Sequence, residues 1–411
     1  MPIAHYKKEL KQETPLKICY VSAGRANLIE AHHWWKAGSD DPSQVSLTFS
    51  GQVEEAASIL GAKLMMISDR GDNGVLQEAD TEIRHLKKNE KTGLSYYWED
   101  LRYCWKLLRF SKSFDSDIVI IDSGVTQTFM MFMFWMNRMQ VALILHNSLW
   151  PNGFAPKTLR RRIVSYLDGL FLRYGPCFIL VVSPIIERQI MEVTHTKKYP
   201  IFPIRAQFRR SFFTNIAAPV WSDSTPFEVM FVGRVTRDKG ALDLVKIAAL
   251  VEHSHPGRVR WTVCGDGPDL QALHDAVGQH ELASIFEVKG RVQPATLKLL
   301  YDKIHACIVP TRSEFSEGLA MTAIESVLAG RPLITNPVVP ALEFVREATI
   351  EVPTNDIAGY ADAVVRLATE QSTYLRLQAA TKDAADQFYD RNQGLTAVLV
   401  SAIKSCRRLT A

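Results

Sequence analysis

Two glutamates eight residues apart, Glu317 and Glu325, bracket a segment that also carries Gly318-Leu319-Ala320 and closes on Gly330. The β-rich run Ala306–Pro310 leads into it, and the apolar pattern predicts a helix from near Gly318 to Gly330, where a C′ glycine stops it. At about 1.5 Å of rise per residue the two carboxylates lie roughly 12 Å apart along the axis, on broadly the same side. Carboxylates accept hydrogen bonds from hydroxyls. The mouth of a helix offers unpaired N–H groups to an anion. The spacing therefore suits a diphosphate flanked by two sugars, and it also suits a capping glutamate followed by an exposed helix glutamate.

Gly233-Arg234-Val235-Thr236-Arg237-Asp238-Lys239-Gly240 follows another apolar run, Phe227–Val232, and precedes the helical pattern ALDLVKIAALV. A glycine at a strand end lets backbone approach a ligand. Arg234 and Lys239 then set two cations beside a helix start, as a diphosphate requires. A polar loop with solvated charges is the competing reading. Cys264-Gly265-Asp266-Gly267-Pro268 has the opening of a dinucleotide fingerprint without its third glycine, and reads as a strand-to-helix turn with Pro268 at the first helical position. Asp115-Ser116-Asp117 mimics a D-x-D metal pair but precedes its strand instead of following it, so a helix-to-strand turn is expected there. The six cysteines are scattered, which supports neither a zinc site, a redox pair nor a disulfide framework. No metal site is expected.

These loops need strands and helices to hold them. Strands are predicted at Lys17–Ser22, Leu47–Ser50, Lys63–Ser68, Asp117–Asp122, Val141–His146 and Phe178–Ser183. A second series is predicted at Phe227–Val232, Val259–Cys264, Ile285–Lys289, Ala306–Pro310, Pro332–Asn336 and Thr349–Val352. Helical patterns such as Trp98–Leu108, Thr158–Arg173 and Asp356–Thr369 lie between them. Such alternation predicts an α/β protein with parallel sheets covered on both faces. Arg205–Pro226 has no clear period and reads as a connection, after which the alternation restarts. The expected domains are residues 1–205 and 206–385, with a C-terminal helix over 386–411 that caps the second domain or crosses back to the first.

The 411 residues carry 48 Lys and Arg against 44 Asp and Glu, a net charge of +4 that gives no argument for nucleic-acid binding. An apolar content of 47% excludes general disorder. The polar N-terminus has no apolar core of a secretory signal, so a cytoplasmic location is expected. Phe129–Trp135 is too short to span a bilayer and reads as a buried or surface-seeking helix. Lys157, Arg160, Arg161, Arg162 and Arg173 share a helical stretch with Ile163, Tyr166, Leu167 and Leu170. That stretch suits peripheral contact with an anionic lipid surface, and equally a packed helix with a solvated cationic face. Arg25, Asn27, His32, His33, Trp34 and Trp35 follow the first strand and either line a substrate site or form a covered loop.

In order and spacing, FVGRVTRDKG, CGDGP and VKGRVQPATLKLLYDKIHACIVPTRSEFSEGLAMTAIESVLAGRPLITN resemble the C-terminal half of the retaining glycosyltransferases of family 4, with the GT-B fold. The resemblance covers roughly residues 226–370, and the first half matches mainly in architecture. It implies two Rossmann-like domains facing each other across a cleft. A nucleotide sugar sits on the second, with UDP favoured over GDP, and a glycan or lipid-linked acceptor sits on the first. By resemblance Arg234 and Lys239, beside Gly233, grip the diphosphate. Glu317 contacts the transferred sugar, the N–H groups from Gly318 through Leu319 and Ala320 to Met321 meet sugar and phosphate, and Glu325 holds the ribose. Arg291 and Val292 border the base. His146 stands near the transferred sugar, and Gly24 stands where the family has a glycine-rich loop. Ala320 and the single glycine of the first loop depart from the family pattern. Transfer with retention, without a metal or other cofactor, is the implied reaction. A sugar-nucleotide epimerase and a non-catalytic donor-binding partner are the alternatives.

Overall fold

The computed structural model describes residues 15–195 and 200–410. The first sheet contains β1 (Lys17–Ser22), β2 (Lys63–Ser68), β3 (Val75–Gln77), β4 (Thr81–His85), β5 (Ile118–Asp122), β6 (Gln140–Leu145), β7 (Pro176–Val181) and β8 (Ile201–Pro203). Their order is β3-β4-β2-β1-β5-β6-β7-β8, parallel except for β3 against β4. The second sheet contains β9 (Phe227–Val232), β10 (Val259–Cys264), β11 (Phe286–Gly290), β12 (Ala306–Val309), β13 (Leu333–Thr335) and β14 (Thr349–Glu351). It is wholly parallel, in the order β11-β10-β9-β12-β13-β14. Helices cover both faces, so the central strands are apolar throughout; every residue of β5 and β12 is buried.

Leu47–Ser50 is not a strand. Ser46 forms an isolated bridge with Phe208, and Thr48 caps the helix Phe49–Ile59 by accepting a hydrogen bond from the Gly51 N–H at 3.2 Å. Buried Val53, Ala56 and Ala57 at helical spacing outweigh the β-branched start. Strands β3, β4 and β8 carried no apolar signal because they lie towards the sheet margins, where Val75 and Gln77 are exposed and β8 closes on Pro203. Phe129–Trp135 forms a 3₁₀ turn, Thr128–Met131, running into a short helix, Phe132–Met136. Met130, Met131 and Phe134 are buried and Trp135 is exposed.

The helix Leu395–Thr410 packs on Phe49–Ile59 of the first domain. Leu399, Ala402 and Ile403 are buried, and the Leu395 N–H donates to Gln52 Oε1 at 3.0 Å. Within the connecting segment, Arg205 lies over the Phe344 ring at 3.8 Å and its N–H donates to the Gln393 carbonyl at 2.8 Å. The chain thus links the two domains twice.

Candidate active site

Parallel sheets bring their loops together at the carboxyl ends of the strands, and here the two sets of loops face each other. A cavity of about 920 Å³ lies between the ends of β1, β5 and β6 on one side and β9 and β12 on the other. Gly24, His146, Gly233, Arg234, Lys239, Arg291, Glu317, Gly318, Leu319 and Ala320 border it. Val292 and Glu325 do not.

On the second domain, Lys239 Nζ donates to Glu317 Oε2 at 2.5 Å, and Thr311 Oγ1 donates to the same oxygen at 3.1 Å. Glu317 is only 4% exposed, so this ion pair has little water to screen it. Phe315 offers its ring to both cations, with Lys239 Nζ at 4.4 Å and the Arg234 guanidinium at 5.3 Å from the centroid. The cations are held in place from below. Arg237 N–H donates to Asp269 Oδ2 at 2.6 Å, and Arg312 N–H donates to the Asp238 carbonyl at 2.9 Å.

The turn Cys264-Gly265-Asp266-Gly267 supports this loop from the layer beneath. Gly233 N–H donates to the Cys264 carbonyl at 3.0 Å and Val235 N–H to the Asp266 carbonyl at 2.9 Å. Gly265 has a φ of +151°, and a Cβ there would lie 1.7 Å from the Gly233 carbonyl oxygen. Gly265 is required for close packing of two loops, and neither it nor Gly267 borders the cavity.

The helix after Glu317 starts later than its sequence suggests. It spans Met321–Leu328, and Gly318–Ala320 approach it as irregular chain with Ala320 in the left-handed region at a φ of 58°. That conformation disfavours a side chain, and it turns Met321 and Thr322 into the cavity wall. Glu325 lies on this helix, one turn beyond Met321. It is 8% exposed, and burial raises its carboxyl to about 7.

The first domain contributes a chain of polar groups. His146 Nε2 lies 3.0 Å from Asp122 Oδ1, and Tyr20 OH donates to Asp122 Oδ2 at 2.7 Å. Burial and the Asp122 charge push the Tyr20 phenol well above its usual range. The His146 N–H donates to Ser123 Oγ at 2.9 Å, and the ring meets Phe49 edge-on at 4.4 Å. Asp122 and Tyr20 were absent from the sequence-derived set. The available signal was the acidic end of IVIID beside the histidine ending the next run: β5 and β6 are neighbours, with Asp122 opposite Ile144.

The domains touch within the site. Ser148 donates to the Glu317 carbonyl from both N–H, at 3.1 Å, and Oγ, at 2.9 Å. A Cβ on Gly318 would lie 2.7 Å from the His146 carbonyl oxygen and 2.9 Å from Asn147 Oδ1. Only glycine lets these two backbones approach so closely.

The remaining sequence candidates lie elsewhere or have structural partners. Asp117 accepts from the Lys17 N–H at 2.8 Å and Asp115 pairs with Lys17 Nζ at 3.1 Å, at the opposite end of β5 from the cavity. His32 is buried against Glu54 at 2.5 Å. Trp34 and Trp35 border a separate, smaller hollow with Arg391, whereas Asn27 reaches the main cavity. Among the described residues, no group of three or more His, Cys, Asp or Glu could hold a metal ion, and no helix is long and apolar enough to cross a membrane.

Residues 226–370 match the family described as "Glycosyl transferases group 1". Glycogen synthase of Mycobacterium tuberculosis is 25% identical over 167 residues, 40% of this chain and 39% of that protein. The aligned stretch thus spans about two fifths of that curated relative's length. Sucrose-phosphate synthase from Thermosynechococcus elongatus superposes with a TM-score of 0.68 at 16% identity, covering 96% of this chain and all of the other. A structure from E. coli, described as trehalose-6-phosphate bound with UDP-2-fluoro glucose, superposes with a TM-score of 0.70 at 10% identity, covering 95% and 99%. The fold is that of the GT-B proteins, two Rossmann-like domains about a cleft.

Proposed function

We propose that this chain, a member of the group 1 glycosyltransferase family, transfers a hexose with retention from a nucleotide diphosphate sugar to a hydroxyl of a glycan or lipid-linked acceptor. The observation that carries the reading is the Lys239–Glu317 pair beside Arg234, facing His146 and Asp122 across one cavity. UDP is the favoured carrier and GDP the second choice. The UDP-2-fluoro glucose bound in the E. coli neighbour supports that order.

Arg234, Lys239 and the N–H groups leading into the helix at Met321 balance the diphosphate as the glycosidic bond breaks. Because they are positioned before reaction, little reorganisation is needed in the transition state. Glu317 accepts hydrogen bonds from the hexose hydroxyls. His146, oriented by Asp122, polarises the sugar from the first domain. The acceptor hydroxyl attacks from the face the leaving group vacates, and the leaving phosphate takes its proton. This chain's own residues supply the charge needed, without a cofactor. Arg291 borders the base from the cavity wall, to which Val292 does not contribute, and Gly24, in the loop after β1, approaches the donor from the first domain. Glu325 is buried and does not border the cavity. For it to serve the ribose, donor binding must bring its carboxylate into contact, and hydrogen bonds from the ribose hydroxyls would then lower the carboxyl's raised proton affinity.

The test is product analysis with UDP-hexoses, with and without acceptor. Acceptor-dependent release of UDP that is lost in Glu317→Ala supports the reading. Conversion of the sugar nucleotide without acceptor would mark an epimerase. Binding of UDP with no turnover would mark a donor-binding partner.

A further inference from the structure

We propose that the first domain docks on an anionic lipid bilayer through one continuous face built by two neighbouring helices, Leu94–Ser113 and Leu159–Tyr174, with Trp135 and Met136 beside them. The helices are joined by Arg160, whose guanidinium donates to Tyr97 OH at 3.1 Å and lies over its ring at 5.3 Å. Thr128–Met131 and Phe132–Met136 pack against them.

Each helix exposes an apolar stripe at helical spacing. On the first it is Trp98, Leu101 and Trp105; on the second it is Leu159, Ile163 and Tyr166. Trp98 is 70% exposed, Leu159 74% and Met136 74%. Large apolar side chains standing this far into solvent on adjacent elements mark an interaction surface. Tryptophan and tyrosine in particular favour the boundary between headgroups and acyl chains.

The charges around the stripes have one sign. Arg102, Arg109, Arg160, Arg161 and Arg162 are exposed. The helices' three acids turn away into the fold. Glu99 Oε1 accepts from Asn89 Nδ2 at 2.9 Å, Asp100 pairs with Lys88 at 2.6 Å, and Asp168 accepts from the Phe129 N–H at 2.8 Å. A merely solvated helix face has no reason to sort its charges so completely. An anionic headgroup layer matches both features, with cations for the phosphates and aromatic rings for the interface.

Position adds a third observation. Each helix follows a strand of a parallel sheet, β4 or β6, and so starts at the sheet's carboxyl edge, where the cavity lies. Trp98, Leu101, Leu159 and Ile163 occupy those starting ends. Docked this way, the cavity opens next to the bilayer, where an acceptor with a lipid tail presents its headgroup. The docking surface itself does not depend on the transfer chemistry.

The experiment is flotation of the full chain with vesicles of phosphatidylcholine alone and of phosphatidylcholine mixed with phosphatidylglycerol. Binding to the anionic vesicles is expected, with weakening by salt and a blue shift of tryptophan fluorescence. At about fivefold per charge near such a surface, the triple change Arg160→Ser, Arg161→Ser, Arg162→Ser is expected to weaken binding about a hundredfold. Trp98→Ser with Trp105→Ser is expected to weaken it about tenfold and to reduce the blue shift, leaving the part that Trp135 contributes. Thermal stability and UDP binding of both variants, measured in parallel, verify that they fold. Absence of binding to anionic vesicles, or binding unchanged in both folded variants, overturns the proposal. A concentration-dependent dimer that dissociates in the same variants, without vesicle binding, also overturns it and gives the face to a second copy.

Discussion

The two halves of the cleft are built in different ways. In the second domain the clustered charges Arg234, Lys239 and Glu317 come from two loops, each a few residues long in sequence, with Arg291 added from a third. In the first domain the linked groups Tyr20, Asp122 and His146 come from three strand ends far apart in the chain, joined only by pairing of β1, β5 and β6, and Glu30, Asp41 and Arg70 border the cavity from other segments again. The surfaces differ as well. Exposed large apolar residues of the second domain, such as Leu250, Leu299 and Leu375, stand on separate helices, whereas Trp98, Leu101, Trp105, Leu159, Ile163 and Tyr166 of the first stand on two neighbouring helices, with Ile59 and Val75 elsewhere. Binding of a nucleotide diphosphate can be encoded in compact loops. The Tyr20–Asp122–His146 group is assembled from distant parts of the sheet.

If this division holds, changes in the second domain weaken donor binding and changes in the first slow transfer with donor affinity kept. The largest effect is expected from Glu317→Ala, a loss of about 10³ in kcat/KM in initial-rate assays, because it removes the sugar contact and leaves Lys239 unpaired. Lys239→Ala is expected to lose about 10² in kcat/KM and to weaken UDP binding in parallel. Asp122→Asn is expected to lower kcat about tenfold to a hundredfold with UDP affinity unchanged, since it disturbs His146 and its link to Tyr20 but none of the second-domain groups. A drop in UDP affinity as large as that of Lys239→Ala would break the comparison.

Gly318→Ala probes the seam between the halves. Its Cβ would press on the His146 carbonyl oxygen, at 2.7 Å, and a cost of about 1–3 kcal/mol is expected as a lower Tm. The smallest effect concerns pH. Burial raises Glu325 to about 7 from 4.5, so the native state keeps a proton the unfolded chain has lost. Stability from this group is therefore present at acid pH and is lost as pH rises from 4.5 through about 7. Glu325→Gln should remove that slope and stabilise the protein above pH 7 by up to about 3 kcal/mol, as read by denaturant melts. Part of the slope should remain, because burial also raises Glu54 to about 7. If Glu325 meets the ribose, UDP binding in the wild type should strengthen as pH rises through 7 and that trend should vanish in the variant.

Legibility in the sequence follows the same division. The central strands are apolar runs bounded by turn residues, and β1, β2, β9 and β10 have the limits their composition implies. Strands β3, β4 and β8 were invisible because half-exposed strands near a sheet margin lack an apolar run. Leu47–Ser50 was misread because its apolar residues fit either period until Thr48 is seen to cap a helix. The cations and Glu317 were legible because their spacing is local. The partnership of Tyr20, Asp122 and His146 depends on strand order, which no local pattern states. The late helix start at Met321 depends on the left-handed Ala320, a conformation alanine does not advertise.

The central claim is that Arg234 and Lys239 hold a nucleotide diphosphate in the cleft, and calorimetric titration of UDP tests it most directly. Saturable binding to the wild-type chain, weakened by about a hundredfold or more in the Arg234→Ala, Lys239→Ala double variant, is the expected result. Equal affinity in the folded double variant, or no binding of UDP to the wild type, would contradict it.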